Sequence, residues 1–94
     1  MNTRAPATLN PLTSLVSAIQ TRVPVRVVLR RHTETETARI IEAWPQRVDP
    51  SPKGGHCVIL TADRSGQGDA ARWVIHLDRV AMVEPLAPDA LGHR

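Results

Sequence analysis

Hydrophobic and polar positions along the chain change period once, and that change separates a short helix from a run of strands. In residues 10–21, NPLTSLVSAIQT, the residues Leu12, Leu15, Val16 and Ile19 fall at i, i+3, i+4 and i+7, the spacing of one helix face. Asn10 can cap such a helix and Pro11 suits its first position. The helix is too short to hold alone, so its apolar stripe must lie on other elements.

From Val23 the period becomes two. A first strand over roughly 23–31 puts Val23, Val25, Val27 and Leu29 on one face and Arg26 and Arg30 on the other, with Pro24 at its start. A second strand covers roughly 37–44 and ends at Pro45. Residues 57–62, CVILTA, form a continuous apolar run, the pattern of a buried central strand. Strands over 72–77, with Trp73, Ile75 and Leu77 inward, and 79–84, with Val80 and Met82, complete the set. Between them HTETET reads as a polar connection, and 46–56 (QRVDPSPKGGH) and 63–70 (DRSGQGDA) as surface loops rich in Pro and Gly. Residues 1–9 and 87–94 read as a flexible arm and tail, leaving 10–86 as one domain.

The link between the last two strands carries no hairpin residue. A single helical turn at Leu77, Asp78 and Arg79 can instead carry the chain from one edge of a bent sheet to the other, so those strands need not pair. The expected fold is therefore mainly β: an N-terminal α-helix followed by a five-stranded, strongly bent small barrel of the SH3-like or Sm-like kind.

Composition sharpens this. The chain has 94 residues, 41% of them hydrophobic, but aromatics are only 2%, namely Trp44 and Trp73. The core must be built from Val, Ile, Leu, Met and Ala, a mixture that favours strands. The formal charge of +3 rests on eleven arginines and Lys53. A guanidinium grips phosphate in a fork and stacks on flat rings, although a GC-rich coding sequence also writes arginine for lysine. Cys57 is the single cysteine and can form no internal disulfide. With no apolar run of signal-peptide or membrane-span length, the expectation is a soluble, cytoplasmic protein without a membrane partner.

The phrases PLTSLVSAIQTRVPVRVVL and VAMVEP, together with the one-turn link before the last strand, give the chain a family likeness. Over residues 10–85 it resembles the Sm-like fold, in particular the Hfq-like RNA-binding proteins. That resemblance implies an RNA partner, a role as a post-transcriptional regulator and a homo-oligomeric ring joined through strand edges. Hfq-like chains carry Asn-Gly in the first turn, where this one has RHTETET, and a pore-lining Tyr-Lys-His, whose places fall on His76, Leu77 and Asp78. Only a flat polar ring, His76, survives from that set. The phrase RWVIHLDRVAMVE also resembles the end of Rof-like proteins, Sm-like barrels that bind the transcription terminator Rho. This second likeness implies a protein partner, such as a transcription factor, and modulation of termination. Rof-like chains are typically acidic, whereas this one is basic.

Candidate RNA-binding residues follow: Arg22, Arg26, Arg30 and Arg31 around the first strand with Arg39 and Arg47 around the second as a basic stripe, Asp78 or Arg79 facing a ligand at the barrel rim, Trp44 as a stacking platform and His76 as a ring that could stack on a base. Each has a plainer alternative. The arginines can form a solvated face paired with Glu34, Glu36 and Glu42. Trp44 can close the barrel end, and Asp78 can cap the turn it sits in. His56 and Cys57 are adjacent, so on a strand they point to opposite faces and cannot readily share a metal. No nucleophile elbow, P-loop, Cys-x-x-Cys or metal-spaced histidine set occurs, and SGQG is too weak for a phosphate cradle. The sequence therefore predicts a binding module, not an enzyme, with no cofactor and no metal.

Overall fold

The helix α1 (Pro11–Thr21) begins where its capping chemistry places it: the Asn10 side-chain oxygen accepts the Leu12 N–H at 2.8 Å, and Pro11 occupies the first turn. The computed structural model describes residues 10–31, 33, 35, 37, 39–66 and 71–91. One face of α1 buries Leu15 and Ala18. The helix ends in a Schellman arrangement, with Arg22 N–H donating to Ile19 C=O and Val23 N–H to Ala18 C=O. Arg22 takes the left-handed conformation there, φ 58° and ψ 53°. Glycine is usual at such a position, and a side chain costs ~1–2 kcal/mol.

Five strands follow: β1 (Val25–Leu29), β2 (Arg39–Pro50), β3 (His56–Thr61), β4 (Arg72–His76) and β5 (Val80–Pro85). They form one antiparallel sheet in the order β4-β3-β2-β1-β5. Leu77–Arg79 is the single 3-10 turn expected between the last two strands, and it carries the chain from one end of that order to the other. Among the described residues β4 and β5 do not pair with each other, so the sheet is open.

The expected surface loop over 46–56 is corrected. β2 runs on to Pro50, and only Ser51–Gly55 turns. Pro45 does not end the strand because it sits at a register shift: Pro45 pairs with Leu60, Arg47 with Ile59, and Gln46 is bulged between them. A bulge tolerates a residue without an N–H and redirects the strand. The first part of β2 consequently pairs with β1 and the second with β3. Residues 32, 34 and 36 of the HTETET connection lie outside the described residues, as do the arm 1–9, residues 67–70 of the expected loop and residues 92–94 of the tail.

Every strand and the helix contribute to one core: Leu15, Ala18, Val25, Val27, Leu29, Ile41, Ala43, Val58, Leu60, Ile75 and Val80, with Trp73 packed against it. The period-two pattern explains this, since Val25, Val27 and Leu29 alternate with less buried neighbours. Leu86 N–H donates to Pro24 C=O at 2.9 Å, which ties the end of β5 to the entry of β1. Among the described residues no helix is long and apolar enough to cross a membrane.

Candidate nucleic-acid interface

Arg26 projects from the outer face of β1, where its cross-strand neighbours are Glu42 on β2 and Glu84 on β5. Its Nε lies 2.8 Å from Glu42 Oε2, and one terminal nitrogen lies 3.0 Å from Glu84 Oε1. These bonds, the one to Glu42 foremost, raise the Arg26 pKa above its ordinary value. Two carboxylates around one guanidinium leave this row with net negative charge, unsuited to a phosphate backbone. Glu42 was an expected partner, whereas Glu84 was not, because only the β1–β5 pairing brings it there.

The adjacent row on the same face is apolar. Val28 pairs with Ile40 on one side and Met82 on the other. Ile40 is 57% exposed and Met82 52%, so three neighbouring strands present a hydrophobic stripe to solvent.

The backbone positions of Arg30, Arg31, Arg39 and Arg79 fall around the end of β1. Leu29 pairs with Arg39 on β2 and with Val80 on β5. Arg30 N–H donates to Arg79 C=O at 2.7 Å, and its Nε donates to Asp78 C=O at 3.0 Å. The topology thus gathers residues separated by up to 49 positions (30 to 79) into one corner. Among the described residues none of the four forms an ion pair, and Asp78 is the acid in the same turn. Glu34 and Glu36 belong to the neighbouring connection and lie outside the described residues.

Asp78 does not cap the turn: it is the middle residue, His76 precedes the turn, and no side chain caps it. His76 pairs with Cys57 and stands half-buried on the face opposite Ile75. Cys57 is buried. Trp44 is not an exposed platform, since it is only 6% exposed and the Arg64 guanidinium covers its ring at 5.5 Å. Arg64 carried no signal in the sequence, because its loop position gives no periodic cue. Among the described residues no group of three or more His, Cys, Asp or Glu side chains could hold a metal. Compared with family models, with curated proteins and with solved structures, the chain matches none of them.

Proposed function

We propose that the chain is a small Sm-like RNA-binding protein whose open sheet bends into a barrel-like domain and assembles through its two open strand edges. The observation that carries this reading is the corner at the end of β1, where the backbone brings Arg30 and Arg31 beside Arg39 of β2 and Arg79 of the 3-10 turn, none of them ion-paired among the described residues. Such a corner suits single-stranded RNA, whose phosphates it can neutralise, and His76 next to the turn adds a flat ring. Arg26 and Trp44 are left out of the interface because one is held by two glutamates and the other is buried. The open edges β4 and β5 support the assembly, since an unpaired edge is a template for another copy.

The test is a titration of short RNA against the protein and its Arg31→Gln/Arg39→Gln variant across salt concentrations. Each phosphate that the variant no longer neutralises should make the slope of log K against log salt shallower by about 0.7. An unchanged slope removes the corner from the interface.

A second reading is a protein-interaction module of the Rof-like kind, with a transcription factor as partner. The exposed stripe of Val28, Ile40 and Met82 favours it, because apolar rows rimmed by charged residues suit protein contacts. Ile40→Lys would weaken such a complex and leave RNA affinity unchanged.

A further inference from the structure

A second basic site lies apart from the arginine corner. Where α1 ends against the bulge of β2 there is a cleft of about 140 Å³, lined by Arg22, Arg64, Gln46, Trp44 and the helix residue Ile19. Its parts are held in place before anything binds. The Gln46 amide donates to Thr61 Oγ1 at 2.9 Å and to Arg64 C=O at 3.2 Å. The Thr61 hydroxyl in turn donates to Asp63 C=O at 2.6 Å. Gly66, at φ 73°, comes so close to Gln46 that an added Cβ would stand 2.7 Å from its Cδ. The segment bearing Arg64 is therefore fastened to the bulge, and its guanidinium lies over the Trp44 ring. Stacking restricts a guanidinium while leaving its N–H groups able to donate.

Neither cation of the cleft has a carboxylate partner among the described residues. The loop's own acid, Asp63, spends its carboxylate on the Ser65 N–H and hydroxyl. Arg22 adds an independent observation. It occupies the left-handed position that glycine fills at least cost, so the chain keeps a guanidinium at the cleft against its local backbone preference. A strained residue beside a concave charged site is the pattern of a functional position.

We propose that this cleft binds a phosphomonoester, held between the guanidinium groups of Arg22 and Arg64. Two cations match the double charge of a monoester better than the single charge of an internal phosphodiester. The volume is well below that of ordinary small-molecule pockets, which run to several hundred Å³, so it suits one small group and not a whole nucleotide. The group can come from free phosphate or from the terminal phosphate of an RNA. The site does not depend on the arginine corner.

The two indole N–H signals in a ¹H–¹⁵N spectrum, one for Trp44 and one for Trp73, give a direct readout with an internal control. Inorganic phosphate titrated at constant ionic strength should shift the Trp44 signal saturably and leave that of Trp73 in place. Arg64→Gln should weaken binding by about tenfold or more. Arg22→Gly should weaken it similarly while raising Tm, because glycine relieves the left-handed position. A purely structural role for Arg22 would give the rise in Tm with unchanged phosphate affinity, and would overturn the proposal. A short 5′-phosphorylated RNA that shifts the Trp44 signal at far lower concentration than free phosphate, where its 5′-hydroxyl counterpart does not, identifies the chain terminus as the source, whereas a Trp44 response to free phosphate with the two RNAs alike identifies the free anion. A non-saturating shift reproduced by chloride contradicts the site. Loss of RNA binding at Arg31 and Arg39 with an intact phosphate response would leave it standing.

Discussion

At the residue scale, neighbours decide what each arginine can do. Arg26 sits between Glu42 and Glu84 on adjacent strands, and its charge is already matched. All three side chains remain well exposed, so solvent screens the pairs and little stability depends on them. Arg26→Gln is expected to shift Tm by no more than about 2–3 °C and to leave RNA affinity at physiological salt within about twofold, as calorimetry and RNA titration would show. Leu15 is the contrasting case. It is fully buried beneath the helix against the sheet, and Leu15→Ala should cost roughly 2–5 kcal/mol in denaturant unfolding. A cost below about 1 kcal/mol would mean that α1 does not seal the core.

At the scale of elements, periodicity made the helix and the strand cores legible. Asn10 and Pro11 mark the helix start as expected, but of the stripe only Leu15 is fully buried: Val16 is exposed, and Ala18 takes its place against the core. The 3-10 turn at Leu77–Arg79 and the separation of β4 from β5 were legible from the missing hairpin residues. The extent of β2 was not. Two prolines and two glycines within 46–56 look like a loop, but Pro50 lies at the strand's end and only Pro52, Gly54 and Gly55 fall in the turn, while Pro45, just before the segment, lies at a bulge where it breaks no ladder bond needed elsewhere. The candidate site was legible residue by residue but not as a set. Arg30 and Arg79 are brought together by the β1–β5 pairing, which no local pattern encodes. The same bulge organises the segment after β3, and Gly66 tests it. Gly66→Ala places a side chain at positive φ and against Gln46, so a loss of about 1–2 kcal/mol is expected on chemical denaturation.

At the scale of the whole molecule, the helix and five strands share one core in a chain of 94 residues, a size at which burial alone leaves thin stability. Edges left open at both ends of the strand order give a route to further burial through association. Light scattering or native mass spectrometry should therefore give a mass several times the 10.3 kDa of one chain, and a single-chain mass at micromolar concentration would remove the assembly. The measurement that bears most directly on function is fluorescence anisotropy of a labelled single-stranded RNA at near-physiological salt, with wild-type protein, Arg31→Gln/Arg39→Gln and Arg26→Gln side by side. The account predicts binding by wild type and Arg26→Gln and a loss of at least about tenfold for the double variant. Binding that is absent in all three, or equal in all three, would contradict it.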